Sequence, residues 1–296
     1  MLICGEMMRP DPSPFYPEMP EHGLQVDIFE AHHDEPGPLF VEHWHDHLQF
    51  VYFTAGQALV HCNGRPLPAK AGDLVLINAN ELHYGENLGD RLTCYVVRIY
   101  FSLLSGDAAD SCQVKYMAPL MHSEISFRNM IGDERIIRCI RRMIAEHRFR
   151  EMGFELALKA SAYDSLVFLL RDHVEKSYSA KEQKLLLRNV KRFRRVSDFL
   201  DAHYAEKISL DRLAAMVGMS KYHFCRLFNR LTGRPPGDYI SRLRVDKAVA
   251  LLKESESNIT EIALACGFND SNYFCRVFKK YQKVSPSRIR GKLTGS

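Results

Sequence analysis

Five polar side chains in the first third of the chain have types and spacing suited to holding an ion or a small ligand. His43, His45 and His47 recur at every second residue, Gln49 continues the row, and His83 follows later. Alternate side chains of an extended segment share a face, so the row is expected to project from one side of a strand. Imidazole is a common ligand for divalent transition ions. Two histidines from one strand and a third from a neighbouring one make the metal set His43, His45 and His83. Gln49 is available as a fourth donor, although a neutral amide binds more weakly than a carboxylate. The same five residues, His43, His45, His47, Gln49 and His83, serve equally as hydrogen-bonding lining for a small polar effector. Trp44, the only tryptophan, falls on the opposite face and reads as packing. No acid, base or nucleophile accompanies the row, so no catalytic residue is assigned.

The elements that must position these residues are short. LQVDIF (24–29), LQFVYF (48–53), QALVHC (57–62), DLVLI (73–77) and LTCYVVRIYF (92–101) are apolar runs with β-branched and aromatic character. Turn signals separate them: Pro-Gly-Pro at 36–38, Gly56, Asn63-Gly64, Ala71-Gly72-Asp73 and Gly89-Asp90. Many short strands joined this way read as an antiparallel barrel or sandwich. Residues 1–24 hold five prolines and read as an irregular lead-in. From about Asp133 the apolar period changes to that of a helix. Ile136, Ile137, Ile140, Met143 and Ile144 form one stripe, and a second helix is expected from Phe154 to His173. The polar stretch EKSYSAKEQ (175–183) marks a linker region.

The last third repeats itself. Leu210–Gly218 (LDRLAAMVG) aligns with Ile259–Gly267 (ITEIALACG), and Phe224–Phe228 (FCRLF) with Phe274–Phe278 (FCRVF). Each copy reads as helix, tight turn, helix. Ser209 and Asn258 are suitable N-caps. Gly218 and Gly267 suit a turn that needs positive φ, and Ser220 and Asn269 or Asp270 cap the following helices. This is the layout of a helix-turn-helix, in which the second helix enters the major groove. Phe224, Leu227, Phe228 and Leu231 turn inward in the first copy, which leaves Lys221, Tyr222, Cys225, Arg226 and Asn229 outward. In the second, Phe274, Val277, Phe278 and Tyr281 turn inward, which leaves Ser271, Asn272, Cys275, Arg276 and Lys279 outward. Arginine and asparagine can read base edges, and lysine or arginine farther along meets phosphates. A continuous helix from Pro236 is expected to hold the two units apart.

Charge follows the same division. Residues 185–296 carry 22 basic against 10 acidic residues, net +12, while residues 1–184 carry 18 against 26, net −8; the whole chain of 296 residues is only +4. A basic module behind an acidic one points to a polyanion that meets the second half alone. The eight cysteines show no CxxC pair and read as free thiols of a cytoplasmic protein. Hydrophobic residues at 46% and charged residues at 26% are those of a folded chain, without the long apolar run of a membrane span.

Two resemblances add to this reading. His43-x-His45-x3-Gln49-x6-Gly56, followed by Gly72-x5-Asn78-x-Asn80-x2-His83-x3-Asn87, resembles the two motifs of the cupin superfamily. Gln49 stands where that family has glutamate, and Asn78 and Asn80 where it has proline and glycine. The resemblance implies a closed β-barrel and carries its metal-ligand positions to His43, His45, Gln49 and His83. Ile262-Ala263-x3-Gly267-Phe268-x4-Tyr273-Phe274-x-Arg276-x-Phe278-Lys279-Lys280, then Ser285-Pro286-x3-Arg290, resembles the AraC/XylS family of transcription regulators. That likeness spans about residues 187–290. Lys283 replaces a usual glycine and Ile289 a usual tyrosine, whereas Gly233 keeps the glycine in the first unit. The resemblance implies base-contact duty for Lys221, Tyr222, Cys225 and Arg226, and for Ser271, Asn272, Cys275 and Arg276.

The expected architecture is therefore α+β and multidomain. A cupin-like effector-binding and dimerising barrel with trailing helices occupies 1–175, a linker 176–186, and an all-α DNA-binding domain 187–296, with helix-turn-helix units at about 209–232 and 258–282. The expected function is effector-controlled transcriptional regulation, as an activator, by a homodimer that partners double-stranded DNA, a small-molecule effector and RNA polymerase but no membrane. No cofactor is required, although a divalent transition metal could sit in the barrel. The rival readings are an architectural DNA binder without effector control and a metal-dependent cupin enzyme.

Overall fold

The computed structural model describes residues 25–89, 91–101, 111–255 and 257–294. The lead-in of residues 1–24 and Asp90 of the Gly89-Asp90 turn lie outside the described residues. The chain forms two compact units, Met1–Leu187 and Arg188–Ser296.

The first unit is built on antiparallel strands. β1 (Val26–His33), β8 (Leu92–Ile99), β3 (Leu48–Ala55), β6 (Leu74–Ile77) and β10 (Met130–Ile131) lie side by side in that order. A second sheet runs β2 (Gly37–His43), β7 (His83–Asn87), β4 (Gln57–Cys62), β5 (Arg65–Lys70). The β4–β5 hairpin turns on Asn63 and Gly64 at φ 47° and 75°, the double positive-φ geometry for which Asn-Gly is selected. Strand alternation explains how the five-stranded sheet is covered twice. Val51, Phe53, Val75, Ile77, Leu92 and Cys94 face Leu39, Ala58, Val60, Leu67 and Ala69 of the other sheet. Their neighbours Leu48, Phe50, Leu74, Leu76, Val97 and Ile99 pack instead beneath two helices.

The expected closed cupin barrel is not found. Among the described residues the two sheets share no strand pairing, and their ladders end at β1 and β10 on one and at β2 and β5 on the other. A barrel needs one unbroken, consistently staggered ladder. Pro66 and Pro68 lie within β5, and proline cannot donate to a further neighbour, which fits an edge strand. Short amphipathic strands with tight turns look alike in barrels and sandwiches, because edge pairing is decided between distant segments. The fold is corrected to an open two-sheet β domain followed by a helical domain.

The helices covering the five-stranded sheet are α2 (Glu134–Phe149) and α3 (Phe154–Asp172); a short α1 (Ala118–Met121) precedes them. Asp133 caps α2 by accepting from the Arg135 N–H, and the stripe Ile136, Ile137, Ile140 and Met143 is buried. Residues 174–177 form β11 (Val174–Ser177), paired with β9 (Ile125–Phe127), and α4 (Ala180–His203) starts soon after. These elements occupy the stretch read as a linker.

In the second unit α5 (Leu210–Met216) and α6 (Lys221–Thr232) form the first copy of the repeat, and α8 (Ile259–Ala265) and α9 (Ser271–Gln282) the second. α7 (Pro236–Glu254) lies between them and α10 (Pro286–Thr294) follows. Ser209 and Ser220 cap α5 and α6 by accepting from the Arg212 and His223 N–H groups. Asn258 and Glu261 form a reciprocal capping box on α8, which satisfies two otherwise orphaned donors. Gly218 and Gly267 both turn at positive φ, 63° and 81°. At Gly267 a β-carbon would stand 2.5 Å from the Ala205 carbonyl oxygen, so this turn needs glycine twice over. Phe274 and Phe278 are fully buried with Val245, Ala248 and Ile262, each large side chain contributing about 1.5–3 kcal/mol of burial free energy.

Candidate nucleic-acid interface and histidine site

The inward stripes on α6 and α9 fix which side chains remain outside. Phe224 and Phe228 are buried on α6, and Phe274, Val277 and Phe278 on α9. Lys221, Tyr222, Arg226 and Asn229 are exposed on α6, with Cys225 half-buried. On α9, Asn272, Arg276 and Lys279 are exposed, with Ser271 and Cys275 half-buried. On each helix an arginine also lies over a tyrosine, four residues back on α6 and three back on α9. The Arg226 guanidinium lies 5.9 Å from the Tyr222 ring centre, and that of Arg276 lies 5.8 Å from Tyr273. Neither arginine forms an ion pair among the described residues, unlike Lys221, which pairs with Asp211 at 3.0 Å. Lys280 is similarly committed to Asp238 at 2.6 Å. Both helices thus present a free guanidinium, steadied by an exposed aromatic ring, with a carboxamide nearby.

The histidine site lies in the first unit. Strand β2 ends at His43, so His45 and His47 sit in the loop before β3 rather than along one strand. The expected alternating row is replaced by a loop that folds the rings together, and Trp44 within it is buried. His83 opens β7 directly opposite His43 in the β2–β7 pairing. Potential ligand atoms of His43, His45 and His83 all lie within 4.8 Å of one another.

Backbone carbonyls orient all three rings. His43 Nδ1 lies 2.8 Å from the Val41 carbonyl oxygen, His45 Nδ1 3.0 Å from that of His47, and His83 Nδ1 2.8 Å from that of Glu81. A carbonyl only accepts, so each Nδ1 carries the proton and each Nε2 keeps a lone pair. The Nε2 atoms of His45 and His83 are buried without a hydrogen-bond partner. Burial above all, with the nearby Arg98 charge adding to it, brings His43 down to about 4 against the upward pull of its hydrogen bond to the Val41 carbonyl, and burial with the nearby Arg98 brings His47 to about 3. Burial and the neighbouring histidines hold His45 and His83 well below the ordinary histidine value. Neutral imidazoles with convergent, unpartnered lone pairs are the donor set a divalent transition ion requires, so these residues fit a metal.

His47 and Gln49 do not join that set. His47 stacks on His45 at 3.8 Å between ring centres, and neither of its nitrogens has a hydrogen-bond partner. Gln49 Oε1 accepts from Arg98 Nε at 3.4 Å. Arg98, which also pairs with Asp27 at 3.5 Å, was not singled out from the sequence, although an arginine inside the apolar run LTCYVVRIYF is a readable signal. Glu81 was missed as well; it is buried and caps the Asn78 N–H.

A duplicated helix-turn-helix with an exposed arginine at the same position of each copy, following a β domain with a polar interior site, defines a two-module DNA-binding regulator. Comparison with known proteins agrees with both modules. Residues 25–162 match a family model described as an AraC-like ligand binding domain, and residues 213–292 match a helix-turn-helix domain model. The chain is 27% identical over 259 residues to the transcriptional activator RhaS of Klebsiella pneumoniae, covering 86% of this chain and 89% of that one. It is 27% identical over 253 residues to the transcriptional regulator YdeC of Bacillus subtilis, covering 82% of this chain and 84% of that one. ToxT of Vibrio cholerae superimposes with a TM-score of 0.47 at 16% identity, over 92% of this chain and 99% of that one. The chain thus joins an AraC-like ligand-binding domain to a helix-turn-helix domain, the make-up of a sequence-specific DNA-binding transcription regulator of the AraC type. Both relatives are transcription regulators by name. No helix among the described residues is long and apolar enough to cross a membrane.

Proposed function

We propose that the protein reads DNA through α6 and α9 and is controlled by a small molecule bound at the histidine site of the first unit. Arg226, Asn229, Asn272 and Arg276 take the base edges, together with Lys221, Tyr222, Cys225, Ser271 and Cys275 around them, and Lys279 meets a phosphate. The observation that carries this reading is the duplicated pair of exposed, unpaired arginines, Arg226 and Arg276, on helices otherwise anchored by phenylalanine. α7, with 19 residues, is about 28 Å long at 1.5 Å per residue, a spacer suited to units about one DNA turn apart.

RhaS is an activator by name, and activation, with RNA polymerase as the further partner, is the output proposed here. The working form is a cytoplasmic homodimer. At the histidine site His43, His45 and His83 would hold a divalent transition ion, which would supply a Lewis-acidic anchor for the effector. His47 and Gln49 line the same site without ligating.

Selection of binding sequences from a random duplex pool tests the DNA reading. The enriched site is expected to contain two half-sites separated by about one helical turn, and affinity should fall steeply with salt. Failure to enrich any sequence would leave only an architectural DNA binder. Effector control is tested by repeating the binding measurement with the first unit removed; unchanged operator affinity and selectivity would argue against it.

A further inference from the structure

We propose that a second cleft in the first unit, separate from the histidine site, binds a small organic primary amine through Glu81. The cleft has a volume of about 390 Å³, and none of the clustered histidines lines it. Its walls include Leu48, Phe101, Leu120 and Ile125, while Asn80, Glu81 and Ser126 supply polar groups. An apolar body and one charged recognition point are the usual make-up of a small-molecule site.

Glu81 is the charged point. It is only 9% exposed. Its Oε2 accepts from the Asn78 backbone N–H at 2.9 Å, from Asn78 Nδ2 at 3.1 Å and from Asn129 Nδ2 at 2.8 Å. Its Oε1 accepts from Asn63 Nδ2 at 3.3 Å. Every one of these donors is a neutral amide, and among the described residues no cation lies within ion-pairing distance. A buried carboxylate without a positive partner is costly. Oε1 has capacity for a further donor, and an ammonium would supply the missing charge as well as the hydrogen bond.

The basic groups at the cleft are already matched: Arg65 with Glu175 at 3.5 Å, and Lys176 with Glu182 at 3.2 Å. That leaves the negative charge of Glu81 as the unmatched one, and it selects a cation over an anion. Tyr178 and Leu186 also border the cleft. They lie just before and within the first turns of α4, the segment that leads into the second unit, so an occupant would bear directly on that connection.

Calorimetric titration of the full chain with phenethylamine, 2-phenylethanol and 3-phenylpropionate tests it, since the three share an aromatic body and differ in head-group charge. Phenethylamine is expected to bind at least about tenfold more tightly than the alcohol, and the carboxylate not at all. Glu81→Gln should remove the amine's advantage. Because that change turns an amide NH2 toward amide donors and costs stability, Ser126→Tyr, which fills the cleft and keeps Glu81, is the second variant; it should abolish binding in a chain folded by circular dichroism. Equal binding of amine and alcohol, tighter binding of the carboxylate, no binding of any probe, or amine binding unchanged by Ser126→Tyr would each overturn the proposal.

Discussion

Arg98 reaches Gln49 across the antiparallel β3–β8 pair, Nε to Oε1 at 3.4 Å, from the position directly opposite in register. The amide oxygen that a fourth metal ligand would need is thus turned to a cation. A divalent ion held by the three histidines should be nearly indifferent to Gln49. Gln49→Ala is expected to change Zn²⁺ or Ni²⁺ affinity by less than about threefold, whereas His83→Ala should weaken it about a hundredfold or more. Competition titration against a chromophoric chelator measures both, and equal losses would return Gln49 to the ligand set.

Without metal, the clustered histidines make stability depend on pH. Their folded pKa values lie below the ordinary value of about 6.5, with His43 at about 4 and His47 at about 3. As pH falls below about 6.5 the unfolded chain takes up protons that the folded chain refuses, so stability decreases toward acid. The contribution is complete above that pH and is lost progressively down to the folded values. Each histidine adds up to about 1.4 kcal/mol per pH unit in that window. Urea unfolding of chelator-treated protein between pH 7.5 and 5.5 should show the slope, and His47→Phe should reduce it. An unchanged slope in His47→Phe would mean that His47 does not titrate with unfolding.

What the sequence made readable was what is settled locally. Ser209, Asn258, Gly218 and Gly267 act within a few residues of themselves, so caps, turns and the repeat follow from spacing alone. The five metal or effector residues could be named by type, yet His45 and His47 were placed on a strand because the break after His43 depends on pairing with β7. Arg98 and Glu81 escaped for the same reason. Arg98 acquires meaning from Gln49 on another strand, and Glu81 from Asn129, which is distant in sequence. Barrel or open sheets is likewise a matter of which edges meet.

Base reading and phosphate anchoring separate experimentally. Arg226→Ala should cost about 1–3 kcal/mol on the selected site and relax preference at one base position. Lys279→Ala should weaken selected and random duplexes alike and lower the salt slope by about one. Fluorescence anisotropy on both duplexes at several salt concentrations makes the comparison. Equal loss on both duplexes for Arg226→Ala would remove its base-reading role.

The C-termini of the two reading helices differ in one residue. Gly233 ends α6 at φ 73°, while Lys283 ends α9 at φ 62°. A side chain in this left-handed region is strained by about 1 kcal/mol, and glycine is not. Lys283→Gly is therefore expected to stabilise the second unit by about 0.5–1 kcal/mol, even with loss of the exposed Lys283 Nζ bond to the Lys280 carbonyl. Gly233→Ala should destabilise by a similar amount, and Gly267→Ala by more, since its β-carbon would meet the Ala205 carbonyl at 2.5 Å. Urea midpoints of the three variants give the order; stabilisation absent in Lys283→Gly would show that its side-chain contact outweighs the strain.

The dimer is tested on α3. One face of this helix is buried through Leu158, Ala162, Leu166 and Leu169, but Leu156, Tyr163 and Val167 remain exposed, Leu156 by 73%. Their separations of seven and four residues place them along a single stripe. Phe149 and Met152, just before the helix, extend the exposed apolar surface. An apolar stripe on a folded unit is a common mark of a protein interface, and a second copy would bring an identical stripe to it across a two-fold axis. The double substitution Leu156→Glu, Val167→Glu places like charges on both copies and should convert the protein to monomer in sedimentation velocity. The same variant should bind an isolated half-site as the wild type does but lose the gain from two adjacent sites. A wild-type chain that sediments as a monomer across the micromolar range would remove this interface and, with it, the homodimer.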